Sequence, residues 1–342
     1  MRLGVLTGGG DSPGLNAVIR AIVRKGEHVF GDQVVGFLDA WHGVMYDRTM
    51  PLAVSTLRGM LPRGGTLLGT RRGGPWDEPD GLDRVQVALE HHRLDALIVI
   101  GGNGSLTVAS RLHRELGLPI IGVPKTIDND VVGTDVTFGF HTAVQIATDA
   151  IDRLHTTAEA HDRVMIVEVM GRDAGWIATY AGIAGGATVV LVPEVPFRLD
   201  AVCDVLRRRH DRGRFASIIV VAEGAGSAAV DLPPMAETPG THPGLGSIAY
   251  RLAPEIERRT GFDTRVTVLG HVQRGGTPTA YDRVLATRYG LAALDAAHDS
   301  AWGSMVAFKS PGTMLCVPLA GVEGNTRRLD PAMYDVAEVF FG

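Results

Sequence analysis

Short, continuously apolar runs alternate with longer stretches of helical periodicity along almost the whole chain. Eight of the apolar runs read as strands: Leu3–Thr7, Val34–Leu38, Ala96–Ile100, Ile120–Val123, Val164–Val169, Val189–Val192, Ile218–Ala222 and Val266–Leu269. They are four to six residues long and rich in Val and Ile, the pattern of strands buried on both faces. Between them the pattern predicts helices over Leu15–Lys25, Ser105–Leu116, Thr142–Ala160, Asp200–Arg212, Ile248–Arg259 and Tyr281–Ala297. Strand–helix alternation of this kind builds mostly parallel sheets covered by helices, an α/β architecture. Ligands of such folds bind beyond the carboxyl ends of the strands.

Those ends are where the polar motifs fall. Thr7 leads into Gly8-Gly9-Gly10-Asp11, Ile100 into Gly101-Gly102-Asn103-Gly104-Ser105, and Val123 into Pro124-Lys125-Thr126-Ile127-Asp128-Asn129-Asp130. Val169 leads into Met170-Gly171-Arg172-Asp173, Ala222 into Glu223-Gly224, and Leu269 into Gly270-His271-Val272-Gln273-Arg274-Gly275-Gly276. Glycine loops that open a helix let backbone N–H groups approach phosphate, and the helix N-terminus favours negative charge. One such loop barely improves on a plain tight turn; two at the ends of two strands suit a triphosphate. The first lacks the dinucleotide fingerprint, because Pro13 stands where the third glycine should be, and no GxxxxGK[ST] occurs.

Thr126, Asp128 and Asp130 occupy alternate positions, so an extended segment would point them the same way. One carboxylate could then accept a hydroxyl proton while its neighbour orients a metal or the backbone, which suits phosphoryl transfer. The plainer reading is a set of side-chain turns that shape the loop. Arg72, Arg163, Arg172, Arg265 and Arg274 flank strand ends or loops and could cradle phosphates. His271 lies three residues before Arg274; the other histidines, His91-His92 included, read as surface residues without ligand spacing.

Composition adds limits. The chain has 342 residues, two domains' worth, with 45% hydrophobic and only 6% aromatic residues. A net charge of −5 gives no reason to expect nucleic acid. Only Lys25, Lys125 and Lys309 are lysines among 33 basic residues, and arginine suits bidentate phosphate binding. Cys203 and Cys316 have no metal spacing. No apolar run approaches a membrane span, and the expectation is a cytoplasmic protein. The Pro- and Gly-rich stretch Gly226–Leu245 reads as a surface insertion.

Taken together, Gly8 through Ala17, Pro124 through Asp130, Met170 through Trp176, Ala222-Glu223-Gly224 and Leu269 through Gly276 resemble the signature blocks of the phosphofructokinase family, in family order. The run is most similar to the actinobacterial branch that mixes features of ATP-using and pyrophosphate-using members. The resemblance implies two Rossmann-like three-layer domains. Residues 1–139 with about 275–302 would bind nucleotide, 140–274 with about 303–330 would bind sugar phosphate, and 331–342 would form a C-terminal helix. It implies phosphorylation of fructose 6-phosphate by ATP, with Mg²⁺, in glycolysis. By motif, Asp128 would be the general base, with Thr126 and Arg172 stabilising the migrating group. Gly10, Arg72, Gly102, Asn103, Gly104 and Ser105 would hold ATP. Met170, Gly171, Glu223, His271 and Arg274 would hold the sugar phosphate, and Arg163 and Arg265 would reach it from a neighbouring subunit of a homodimer or homotetramer. Arg20 and Arg24 match effector-binding arginines of bacterial relatives.

Two positions bear on the phosphoryl donor. Pyrophosphate-using members carry Asp where this chain has Gly104, and Gly104 leaves room for the α-phosphate of ATP. Lys125 points the other way, being the residue of pyrophosphate-using members. Weighing nucleotide fit more heavily, the expected donor is ATP. At position 103 relatives carry an acidic residue that helps hold Mg²⁺; Asn103 is neutral, and Asp130 is a further candidate ligand. A pyrophosphate-dependent enzyme, a kinase for another sugar phosphate such as sedoheptulose 7-phosphate, and a weakened sensor of nucleotide or sugar phosphate are the alternatives.

Overall fold

The computed structural model describes residues 1–232 and 247–342. Its strands are β1 (Arg2–Gly8), β2 (Gln33–Phe37), β3 (Thr49–Leu52), β4 (Ala96–Gly101), β5 (Ile120–Pro124), β6 (Val164–Val169), β7 (Val189–Leu191), β8 (Ser217–Ala222), β9 (Thr264–Val268), β10 (Ser304–Lys309) and β11 (Thr313–Pro318). Its α-helices are α1 (Leu15–Lys25), α2 (Trp41–Met45), α3 (Gly81–His91), α4 (Asn103–Leu116), α5 (Phe140–His161), α6 (Trp176–Ala184), α7 (Leu199–Asp211), α8 (Ile248–Thr260), α9 (Ala280–His298) and α10 (Pro331–Glu338). All eight expected strands and six expected helices are present, shifted by no more than two residues at most ends.

The chain forms two compact units: Met1–Thr142 with Arg274–Arg327, and Ala143–Gln273 with Arg328–Gly342. The first holds a seven-stranded sheet in the order β11-β10-β5-β4-β1-β2-β3. Its five inner strands run parallel, and the edge strands β3 and β11 are antiparallel to their neighbours. The expectation that residues near 303–330 join the second unit meets a difference here. β10 pairs in parallel with β5 and carries β11 with it, so 304–318 extend the first sheet. Four of β10's six residues are buried, and that apolar stripe has its cover in the first unit's core.

Two aliphatic cores flank this sheet. Leu3, Val5, Ile98 and Ile100 pack with residues of α1 and α9 on one side. Leu6, Leu97 and Val99 pack with residues of α2, α3 and α4 on the other. Neighbouring residues of one strand thus enter opposite cores, as the pleat requires. Each fully buried Val, Leu or Ile contributes roughly 1.5–3 kcal/mol, so a polar substitution at Ile98 or Val99 should unfold the unit.

The second unit holds a four-stranded, fully parallel sheet, β7-β8-β6-β9. β6 and β8 are buried at every position. The last helix, α10, starts at Pro331, with the Asp330 side chain accepting from Ala332 N, and the Tyr334 hydroxyl donates to Val190 O of β7 at 3.0 Å. Of the stretch 226–245, residues 226–228 belong to a 3₁₀ turn after β8; 233–246 lie outside the described residues.

Candidate active site

In the first unit, register brings three motifs together. Gly8 of β1 lies beside Gly101 of β4, and Gly101 lies beside Pro124 of β5. The loops that follow therefore leave three adjacent strands at the same level. Ser105 wedges between the first two. A Cβ on Gly8 would come within 2.3 Å of Ser105 Oγ, and one on Gly101 within 2.4 Å of Ser105 Cβ. Glycine at both positions is what allows the loops to approach this closely. Asn103, Gly104 and Ser105 form the first turn of α4, whose leading N–H groups have no intrahelical acceptor.

Lys125 continues β5, donating its N–H to Gly101 O at 2.9 Å. Its ammonium donates to Gly10 O, which ties the third loop to the first. The side chain is buried. Burial, and then the charge of Arg274, lower its pKa from the ordinary lysine value to about 8, against opposing pulls from Asp11, Asp128 and Asp130. Arg274 itself donates to Asp11 O at 3.2 Å. The side chain expected at the sugar phosphate thus lies against the first glycine loop. Arg72 and the neighbouring Arg71 are exposed, two residues beyond Thr70, whose hydroxyl donates to Gly9 O.

The segment Thr126–Asp130 is not extended, and this corrects the alternate-position argument. Asp128 N donates to Thr126 Oγ1 at 3.0 Å, bending the chain at Ile127 and Asp128. Asn129 adopts φ 54°, and its buried Oδ1 accepts from Thr137 N at 2.9 Å. Side-chain turns therefore shape the loop, and they still leave Asp128 and Asp130 partly exposed while Ile127 is fully buried. Asn103 Nδ2 donates to Asp130 Oδ2 at 3.0 Å and to Asp130 O at 3.3 Å. That pairing fixes which way the amide faces. Asn103 Oδ1 is buried and accepts no hydrogen bond among the described residues. Gly104 is exposed, and an added Cβ would meet nothing within 4 Å.

In the second unit a parallel arrangement recurs. Val169 of β6 lies beside Ala222 of β8, and Glu168 beside Val268 of β9. Met170-Gly171-Arg172, Glu223-Gly224 and Gly270–Arg274 follow these strand ends. Gly224 N donates to Gly171 O at 3.1 Å, and a Cβ on Gly224 would lie 1.8 Å from Arg172 O. Gln273 joins these loops without a motif role in the sequence. It is fully buried, accepts from Met170 N at 3.3 Å and donates to Gly270 O at 3.1 Å. A buried amide that satisfies two loop backbones is a positioning group; its only sequence signal was its place between His271 and Arg274. Arg172, Glu223 and His271 are exposed at these loops.

Arg163 and Arg265 are not brought to these loops. Arg163 precedes β6 and Arg265 is the second residue of β9, so both stand at the opposite ends of the strands. Asp263 accepts from each, Arg163 Nε and Arg265 Nη1, at 2.5 Å. In the first unit, Arg20 and Arg24 line a cavity of about 400 Å³ with His28 and Arg58. No described helix is long and apolar enough to cross a membrane.

The family model described as Phosphofructokinase matches residues 2–297. Over their full lengths, the chain is 52% identical to a pyrophosphate–fructose 6-phosphate 1-phosphotransferase of Streptomyces coelicolor and 50% identical to an ATP-dependent 6-phosphofructokinase of Mycobacterium tuberculosis. Among solved structures, phosphofructokinase of Pichia pastoris in the T-state superposes with a TM-score of 0.84 at 35% identity, covering 99% of this chain. The chain spans 38% of that longer yeast chain.

Proposed function

Because the chain belongs to the phosphofructokinase family, we propose that it transfers the γ-phosphoryl group of ATP to the 1-hydroxyl of fructose 6-phosphate. The observation that carries the reading is the register Gly8–Gly101–Pro124, which sets two glycine loops and a carboxylate loop at one level. Phosphoryl transfer asks mainly for positioning and charge stabilisation, and this cluster offers both. Asp128 accepts the hydroxyl proton as the sugar oxygen attacks phosphorus. Thr126 and Arg172 stabilise the charge on the equatorial oxygens. Gly10, Arg72 and Gly102–Ser105 hold the nucleotide phosphates, helped by the N-terminus of α4. Met170, Gly171, Glu223 and His271 hold the sugar phosphate. Arg274 is assigned to the first glycine loop, on the strength of its bond to Asp11.

Mg²⁺ fits the donors present. Asn103 Oδ1 is buried without a hydrogen-bond partner, and its orientation is fixed by Asp130. Asn103 Oδ1 and the Asp130 carboxylate would hold the ion, an oxygen set that suits it. When bound, Mg²⁺ neutralises charge on phosphate oxygens. Asn103 would then be a neutral ligand with a built orientation, which argues against the weakened-sensor alternative.

Arg163 and Arg265 lie a full strand away from the sugar loops. At about 3.3 Å per residue, β6 separates the two ends by roughly 17 Å. That supports their use by a neighbouring subunit, in a homodimer or homotetramer with shared sites.

ATP as donor rests on Gly104, exposed and without a neighbour that a Cβ would touch. Lys125 favours the second reading, pyrophosphate: a buried cation tied to the first glycine loop is a point charge well placed for a compact anion. A coupled assay with fructose 6-phosphate, comparing both donors at varied Mg²⁺, separates them. The expected result is at least a 10-fold higher kcat/KM with ATP. Gly104→Asp should cut the ATP value by about 100-fold through repulsion of phosphate, without loss of folding. Turnover with pyrophosphate alone would overturn the donor assignment and leave the phosphotransfer chemistry standing.

A further inference from the structure

The pair His91-His92 lies outside the phosphoryl-transfer cluster. Here the structure adds what spacing along the chain concealed. His91 ends α3, and His92 is its C-cap with near-helical backbone, φ −79° and ψ −4°. Across from them is Asp47, on the turn between α2 and β3, held at φ 53°. Each oxygen of its carboxylate faces a different imidazole. His92 Nε2 lies 2.5 Å from Oδ1, and His91 Nε2 lies 3.7 Å from Oδ2. One ligand atom from each residue falls within 4.8 Å of the others. Three ligands about 2.0–2.2 Å from one ion sit roughly 3–3.5 Å apart in tetrahedral geometry, so small side-chain rotations complete the set.

The three ligands differ in mobility in a way that suits metal capture. His92 is only 12% exposed, packed edge-on against Phe37 at 5.7 Å and 88°. The side chains of His91 and Asp47 are 66% and 53% exposed and free to close on an ion. A cavity of about 400 Å³, lined by Asp47, His91, Arg84 and Val87 among others, adjoins the trio and leaves room for water as a fourth ligand. An ordinary ion pair would use one imidazolium and one carboxylate. Two imidazole nitrogens on the two oxygens of one carboxylate make a two-nitrogen, one-oxygen donor set. Such a set suits Zn²⁺ and its borderline neighbours Co²⁺ and Ni²⁺, whereas Mg²⁺ and Ca²⁺ prefer oxygen throughout.

We infer that Asp47, His91 and His92 form a second metal site, open to water, that binds Zn²⁺ or a similar borderline divalent ion and ties the end of α3 to the α2–β3 turn. The site is independent of the phosphotransfer reading. The test is calorimetric titration of Zn²⁺ into the full chain after chelator treatment, with a thermal-unfolding scan in parallel. The unsubstituted protein should bind one equivalent and unfold at a higher temperature with Zn²⁺. Asp47→Asn and His91→Ala should each weaken that equivalent by at least 10-fold and remove the thermal shift. Cys316→Ser should retain both, since the exposed thiol at position 316 is a competing Zn²⁺ ligand. Both substituted ligands are on the surface, and activity with Mg²⁺ reports that each variant is folded. If Asp47→Asn and His91→Ala bind Zn²⁺ as tightly as the parent, or if Cys316→Ser abolishes the equivalent, the site is not there.

Discussion

The two strand-end clusters use the same backbone plan to different ends. In the first unit charged and amide side chains cross from loop to loop: Lys125 to Gly10 O, Arg274 to Asp11 O, and Asn103 to the Asp130 carboxylate. In the second unit Gly224 N donates to Gly171 O and the buried Gln273 amide accepts from Met170 N, while the side chains of Arg172, Glu223 and His271 are exposed. Dipoles and charges fixed in advance stabilise a transition state without reorganising. Exposed side chains on a fixed backbone can order around a ligand as it binds. On the proposed function, the first cluster bears chiefly on the chemical step, and the second, Arg172 apart, on affinity for the acceptor.

The largest expected effects test that division directly. Asp128→Ala should lower kcat by about 10²–10⁴-fold, the usual worth of a general base, with a small change in KM for fructose 6-phosphate. His271→Ala should raise that KM by about 10-fold and leave kcat within a factor of a few, as loss of ground-state binding does. Steady-state kinetics of the two variants decide it. An Asp128→Ala enzyme with parental kcat, or a His271→Ala enzyme with unchanged KM and collapsed kcat, would reverse the roles of the two clusters.

A smaller effect probes how far the first cluster is organised before any ligand arrives. Asn103→Asp adds a negative charge at a candidate Mg²⁺ ligand, but it does so 3.0 Å from the Asp130 carboxylate. A hydrogen bond to a charged group is lost and a like-charge pair replaces it, together costing about 3 kcal/mol. Without divalent ions the variant should melt several degrees lower than the parent, and millimolar Mg²⁺ should recover most of the difference. Thermal scans with and without Mg²⁺ check this. A variant as stable as the parent in chelator would mean that the Asn103–Asp130 bond organises nothing.

Much of this was legible in the chain itself, for a physical reason. β1, β4, β5, β6 and β8 are buried on both faces, so each announces itself as an unbroken apolar run, and the motifs at their ends were placed with them. Three strands escaped: β3 and β11 are edges, Pro51 interrupting one and most of the other being exposed, and β10, though an inner strand, has only four buried residues between Ser304 and Lys309. Within the site, the bend at Ile127 and Asp128 is local, the side-chain turn that the sequence allowed for, whereas the left-handed Asn129 is held by Thr137, eight residues on. The Asn103–Asp130 bond spans 27 residues and the Asp47–His92 contact 45. Such pairs exist only once the sheet has set its register, and no local pattern encodes them.

The smallest effect is a pH dependence, and it reads the electrostatic tension in the first cluster. Burial and Arg274 lower the Lys125 pKa to about 8, below its unfolded value, while Asp11, Asp128 and Asp130 oppose the shift. Below about pH 8 the ammonium is charged in both folded and unfolded chains, and the folded state bears the full penalty of holding it. Between there and the ordinary lysine range the unfolded chain binds more protons, so the penalty fades and stability gains with rising pH. In Lys125→Met the penalty is absent throughout. The parent's stability relative to the variant should therefore rise with pH, by about 2 kcal/mol between roughly pH 8 and pH 10. Urea unfolding of both proteins in phosphate-free buffer measures it, since other titrating groups cancel in the difference. A flat difference would place the charge of Lys125 in an environment as polar as water. The first cluster would then hold its cation no more tightly than the second holds its exposed arginine.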